Sequence, residues 1–472
     1  MHKKQYITSR NVLAISILMA LYSNVSLSEP NAMDLPTGAN VVSGDINIQT
    51  SQANDNPVMD INQSTQRGVI DWQSFNVGAN STVNFNQPNA SSSTLNRING
   101  ANPSEIFGKI NAPGEVLLVN GSGIYFGPNS QVEVGSITAT TQDISNDNYL
   151  NGRYQFSENQ NSGGIVNQGE IKALDDYVAL LAPEIRNEGL IFARMGTVVL
   201  ASGENIVLNF NDSKNLSSIS ATPSLIKGLI ENHYMVEAPG GQVIMTATAV
   251  NVINGGIIKQ AGSVNVTQAV QHSLSRISDG RILLTSNKAI FDTNSQTIAK
   301  SSAGQSEIKV AVTDQVIINK GAVLSVDAEA SNANAGNINI EATNAVKVAG
   351  KISANAKDTG DGGTINTSSR EVKLEPTATI IASAGSLGGK AGTWNLNAAN
   401  IHIDSAFSQV MGATVNHTNI NASALQTLCG PNCDDAGAIL AETDSSIHKL
   451  SLTPTKLLLH ADNNLKFSGS II

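Results

Sequence analysis

Asn167-Gln168-Gly169-Glu170-Ile171 returns twenty residues later as Asn187-Glu188-Gly189-Leu190-Ile191. Related turns stand at Asn254-Gly255-Gly256-Ile257 and at Asn319-Lys320-Gly321. A second unit, Gly followed by alternating residues, recurs at Gly336-Asn337-Ile338-Asn339-Ile340, Gly363-Thr364-Ile365-Asn366 and Gly392-Thr393-Trp394-Asn395-Leu396-Asn397, with its glycines 27 and 29 residues apart. A unit this small cannot bury its apolar face alone, so it must stack on copies of itself. A stack of one-turn coils is a right-handed parallel β-helix, an all-β solenoid. Separate β-sandwiches would instead show turns every 8–12 residues without a long period.

Toward the N-terminus the same grammar holds with looser spacing. Asp45-Ile46-Asn47-Ile48, Val58-Met59-Asp60-Ile61, Val83-Asn84-Phe85-Asn86 and Gln131-Val132-Glu133-Val134 alternate apolar and polar residues. A period of two means a strand with one buried and one wet face. The segment from Pro36 to Tyr154, which holds Trp72, is the expected N-terminal β cap over the otherwise open end of the stack. Coils of 20 to 29 residues predict roughly fifteen to twenty turns and a rod of about 70–100 Å. Asn and Thr should stack in ladders along the axis, and Gly should supply positive φ at corners.

Composition agrees. The 472 residues include 40 Gly, only 14% charged and 4% aromatic residues, and a net charge of −10. With 28 Lys and Arg against 38 Asp and Glu, the chain is ill suited to gripping a phosphate backbone, so nucleic acid is not an expected partner. At the start, Lys3, Lys4 and Arg10 precede an apolar run from Val12 to Leu21. Ser26-Leu27-Ser28 then precedes Glu29, which fits a signal peptide over residues 1–28 cleaved after Ser28.

The most specific stretch runs from Arg67 to Gly127. It contains Trp72-Gln73-Ser74-Phe75-Asn76-Val77-Gly78, Leu95-Asn96-Arg97-Ile98, Asn102-Pro103-Ser104-Glu105-Ile106-Phe107-Gly108-Lys109-Ile110, Gly114-Glu115-Val116-Leu117-Leu118-Val119-Asn120 and Gly121-Ser122-Gly123-Ile124-Tyr125-Phe126-Gly127. Ala139-Thr140-Thr141-Gln142-Asp143-Ile144-Ser145-Asn146 follows in order. This resembles the two-partner secretion domain at the head of filamentous haemagglutinin-type exoproteins, strongly from Leu35 to Phe210. The sequence departs from the family in two places. The usual Asn-Pro-Asn-Gly-Ile reads Asn120-Gly121-Ser122-Gly123-Ile124, and the nearest fragment to Asn-Pro-Asn-Leu is Gln87-Pro88-Asn89-Ala90.

The resemblance implies export in two steps. The chain passes the inner membrane, periplasmic domains of a dedicated outer-membrane β-barrel transporter recognise the secretion domain, and the chain threads outward. It implies that Trp72, Phe75, Asn76, Asn96, Arg97, Asn102, Pro103, Phe107 and Gly108 form the domain's signature. It also implies that Asn120, Gly121, Ser122, Gly123 and Ile124 form the turn tied to transporter recognition. Folding outside supplies a driving force, because each new coil buries apolar area that cannot be withdrawn without unfolding. The expected organisation is a signal peptide (1–28), a secretion domain (29–250) and a β-helical passenger (251–472) that is shorter than is usual in the family.

Cys429-Gly430-Pro431-Asn432-Cys433 is expected to close a small disulfide in an oxidising compartment. A plain loop staple and, by the resemblance, an anchor holding the chain at the pore both remain open for it. No catalytic residue, metal site or cofactor is expected. His2, His233, His272, His402, His417, His448 and His460 are scattered without an H-E-x-x-H pattern. The acidic pairs Asp175/Asp176, Asp358/Asp361 and Asp434/Asp435 read as solvated turns. The expected function is a non-enzymatic, secreted or surface-held adhesin with a protein or glycan receptor. A toxin-delivery stalk and, more remotely, a polysaccharide-cleaving β-helical enzyme are the alternatives.

Overall fold

The computed structural model describes residues 30–157, 162–225, 227–250, 255–267, 280–302, 304–403, 409–411, 413–417, 448–451 and 456–459, with side chains described to residue 398. The predicted signal peptide and the Cys429/Cys433 pair lie outside these residues.

Three parallel faces wind around one apolar core. The first face starts at Asn56–Gln63 and ends at Gln409–Met411. Twelve consecutive parallel pairings join its thirteen strands among the described residues. At about 4.8 Å per strand this described stretch of the rod is about 60 Å long. The second face starts at Arg67–Trp72 and passes through Ser93–Ile98, Tyr177–Leu181, Gln242–Ala247 and Asn337–Ala342. The third starts at Ser104–Ile106 and passes through Ile165–Asn167, Glu184–Asn187 and Leu229–Asn232. Among the described residues several coils are longer than the first repeat. Ile165, Ile185, Ile230, Ile258, Ala289, Val316, Val346 and Val372 share one register column. Their steps run from 20 to 45 residues.

The cap is smaller than expected. Among the described residues its antiparallel strands are Asn40–Ser43, against Arg67–Trp72, and Ile46–Ala53, against Asn56–Gln63. From Val58 onward the chain already pairs in parallel, because its alternating strands meet equivalents about one coil later.

The turn at Asn167 and Asn187 has a clear cause. Both side chains point inward and are fully buried. Asn167 Nδ2 donates to Asn187 Oδ1 at 2.8 Å, Asn187 Nδ2 to Asn232 Oδ1 at 2.8 Å, and Asn232 Nδ2 to Gln260 Oε1 at 3.1 Å. Each asparagine also donates to a carbonyl of the next coil, that of Leu190, Met235 or Ser263. Asn319 is not a member of this ladder. Its neighbour Ile318 occupies the column, in register with Phe291, which itself aligns with Gln260. Asn254 lies outside the described residues; Gly255 and Gly256 precede the third-face strand Ile257–Gln260.

The Gly336, Gly363 and Gly392 corners also differ from expectation. Their φ angles are not positive. Glycine is required there because coils approach closely: a Cβ on Gly363 would sit 2.0 Å from the Gly336 carbonyl oxygen, and one on Gly392 2.2 Å from that of Gly363. Asn ladders do form on the outside as expected, with Asn366 Nδ2 on Asn339 Oδ1 at 2.6 Å and Asn395 Nδ2 on Asn366 Oδ1 at 2.7 Å.

A lid covers the outer side of the second face near the cap. It consists of the helix Asn146–Leu150, capped by Ser145, and an antiparallel sheet of Gln155–Ser157, Asn205–Phe210 and Leu216–Ala221. The second face therefore buries apolar residues on both sides here. Val69, Leu95, Leu117, Val119, Leu181 and Val199 pack outward against Ile144, Tyr149, Phe156, Ile206, Leu208 and Leu216.

Candidate functional site

The signature residues gather into one end of the rod, each holding a neighbouring coil. Trp72 and Phe75 are buried and meet edge to face, centroids 5.4 Å apart. The Trp72 indole donates to Asn96 Oδ1 at 3.0 Å. Asn96 Nδ2 in turn donates to the carbonyls of Thr94 and Leu117, both at 3.2 Å, so the buried amide is fully used. Asn76 Oδ1 accepts from the Glu105 backbone N–H at 3.0 Å.

Arg97 points outward and clamps the segment that follows the signature. Its guanidinium donates to Asp143 Oδ1 (3.2 Å), Asn146 Oδ1 (2.9 Å), the Ile144 carbonyl (2.6 Å) and Asp71 Oδ1 (3.4 Å). The planar fork suits several acceptors in fixed directions. Thus L-N-R-I supplies an inward plug and an outward clamp from adjacent residues.

Phe107 packs against Tyr125, centroids 5.5 Å apart, and its ring leaves no room for a Cβ on Gly127, which would lie 2.6 Å from it. Gly108 lies against the carbonyls of Gly78 and Ser81, where a Cβ would approach to 2.2 and 2.3 Å. Asn102 contributes its carbonyl, which accepts from Asn120 Nδ2 at 3.0 Å, and Pro103 faces Gly123.

The Asn120–Ile124 turn holds its shape without proline. Asn120 is buried and donates a second hydrogen bond to Ser104 Oγ at 3.0 Å, while its Oδ1 accepts from the Ser122 N–H at 2.9 Å. The Gly123 N–H donates to the Asn120 carbonyl at 3.1 Å, and Gly123 takes φ +123°. Gly121 and Ser122 are half-buried, and the next coil covers them, with the Gly163 N–H on the Gly121 carbonyl at 2.8 Å. The turn's groups are consumed inside the domain. It acts there as a staple between coils.

The sequence alone assigns no role to Glu115, yet it centres a buried charged cluster. The Tyr154 hydroxyl donates to one of its oxygens at 2.5 Å and that of Tyr177 to the other. Arg67 lies beside them, donating to the Tyr149 carbonyl at 2.7 Å and to the Tyr154 hydroxyl at 3.4 Å, 5.2 Å from the Tyr149 ring centroid. Burial pushes the Glu115 carboxyl up, with the two tyrosine hydrogen bonds opposing. Burial, then the Glu115 charge, pushes both tyrosines well above the ordinary phenol range. Asp176 is pushed up to about 6 by burial, with the Leu216 N–H opposing and Asp175 adding. The acidic pair Asp175/Asp176, read from sequence as a solvated turn, is thus half solvated: Asp175 is exposed and Asp176 is tucked under the lid.

The architecture is thus a capped right-handed β-helical solenoid with an extrahelical lid over its first coils. The sequence matches the TPS secretion domain family over residues 32–387, and the chain belongs to that family. A heme/hemopexin-binding protein of Haemophilus influenzae strain ATCC 51907 / DSM 11121 / KW20 / Rd is 32% identical over 250 residues, covering 51% of this chain and 26% of that protein. A second heme/hemopexin-binding protein of Haemophilus influenzae is 25% identical over 442 residues, 84% of this chain and 46% of its own length. The chain therefore spans half or less of the curated relatives it matches. The HMW1 secretion domain of Haemophilus influenzae shares the fold, with a TM-score of 0.64 and 22% identity over 80% of this chain and 98% of that one. Members of the family are exported by Gram-negative bacteria through the periplasm and a dedicated outer-membrane β-barrel partner.

Proposed function

We propose that this protein, once exported, works without catalysis as a surface-held or released adhesin of the filamentous haemagglutinin type, its rod displaying the binding surface for a receptor on a host or cell surface. The observation that supports it is the family match over residues 32–387 together with the complete Trp72–Asn96–Arg97 cluster, which joins the cap, the coils and the lid. Outward side chains on the rod lie in columns about 4.8 Å apart, so a long, flat surface is available to an extended receptor.

A second reading has its own support. Both curated relatives are heme/hemopexin-binding proteins, and one similarity extends over 442 residues, well past the signature. On this reading the rod captures a heme-carrying extracellular protein. The two separate in one experiment: purified protein is tested against immobilised hemopexin, with and without heme, and against cultured epithelial cells and erythrocytes. Saturable cell binding without hemopexin binding supports the adhesin. Saturable hemopexin binding without cell binding replaces it with the second reading.

A further inference from the structure

Between the rod and its lid the structure places two carboxylates and one guanidinium. Glu115, on a second-face strand, is buried and receives the Tyr154 and Tyr177 hydroxyls. Asp176, at the head of a neighbouring second-face strand, accepts the lid's Leu216 N–H at 3.2 Å. The Leu216 carbonyl is held from below by Thr197 Oγ1 at 2.7 Å. On the lid's near side Phe210 packs on Tyr154 and Tyr177, centroids 5.0 and 5.6 Å away. The cation facing Glu115 is Arg67, and its guanidinium is already shared with Tyr149 and Tyr154. The groups facing Asp176 are Glu115, Asp175 and the Leu216 N–H.

We propose that the lid is an acid-tightened latch: Asp176 and Glu115 are held beneath it with less positive charge than they need when both are ionised, so the lid opens more readily as pH rises and uncovers the apolar strip of the second face. The strip that would be uncovered includes Leu117, Val119, Leu181 and Val199.

The sign follows from the burial of Asp176. A carboxyl whose folded value is raised binds its proton more tightly with the lid closed than in water. The closed state is therefore favoured below the ordinary aspartate value, and that advantage is lost as pH rises through about 6. Opening in this window releases up to one proton, so the opening constant rises by up to about tenfold per pH unit between about pH 4 and 6, then levels off. Glu115 is shifted in the same direction and adds to the effect.

The test is hydrogen exchange with mass spectrometry on the full chain from pH 4 to 8, corrected for intrinsic exchange rates. Protection in 205–221 should fall between pH 4 and 6, while protection in 337–342, far along the rod, should not. Asp176→Asn keeps an oxygen acceptor for the Leu216 N–H, so it should reduce the pH dependence to the part Glu115 contributes and raise protection at pH 7.5 above that of the wild type. Asp175→Asn, at the exposed neighbour, should leave most of the slope. Lid protection independent of pH in the wild-type chain overturns the latch even if the variant fails to fold, and so does an Asp176→Asn variant with the wild-type slope.

Discussion

Asn96 shows how much one residue does at this end of the rod. Its amide joins the Trp72 indole to two carbonyls, one in the neighbouring coil, in a fully buried place. Asn96→Ala would strand a buried indole N–H, which costs more than the hydrogen bond itself contributes. The expected loss is about 2–5 kcal/mol, read from the urea midpoint by Trp fluorescence; a loss below about 1 kcal/mol would show that the indole finds another acceptor. The Trp-x-x-Phe-Asn and Leu-Asn-Arg-Ile patterns were visible as motifs, but the pairing of Trp72 with Asn96 was not, because it joins residues 24 apart across one coil. Glu115 was hidden more deeply. Nothing local to a glutamate after glycine at the start of an apolar run shows that it is buried, because Tyr154 and Tyr177, 39 and 62 residues later, cover it.

At the scale of elements, ladders differ by which side of the wall they line. The inner ladder of Asn167, Asn187, Asn232 and Gln260 is buried, while that of Asn339, Asn366 and Asn395 faces outward and is half-buried. Asn187→Ala should cost about 2–4 kcal/mol, since it leaves a donor on Asn167 and an acceptor on Asn232 without partners in the core. Asn366→Ala should cost under about 1 kcal/mol, because water replaces the lost amide. Equal costs for the two, measured in the same denaturant series, would contradict this division. The twenty-residue repeat was legible because the Asn167 and Asn187 coils are short and follow directly. The step from Asn187 to Asn232 was not, since the lid hairpin is inserted between them and its strands alternate like any coil strand. Sequence also misassigned the role of glycine at the Gly363 corner, because close approach of backbones leaves the same residue as positive φ does.

Across the whole molecule, the first coils are packed differently from those further along the rod. The lid ties residues from Val69 to Ile244 into one apolar cluster, so simple coil-by-coil stacking gives way there to a single larger unit. The signature residues sit at the same end of the rod, Trp72 and Phe75 in the central core and Arg97 clamping the segment that leads into the lid, which links the motif to this capped block. Export is where this is tested most directly. The chain is expressed with and without a co-expressed outer-membrane β-barrel partner, alongside a form lacking residues 35–210, and its appearance in the medium or on the cell surface is followed by immunoblot and protease accessibility. The account predicts partner-dependent appearance of the intact chain and periplasmic retention of the deleted one. Export of the deleted form at the level of the intact chain, or equal export without the partner, would contradict it.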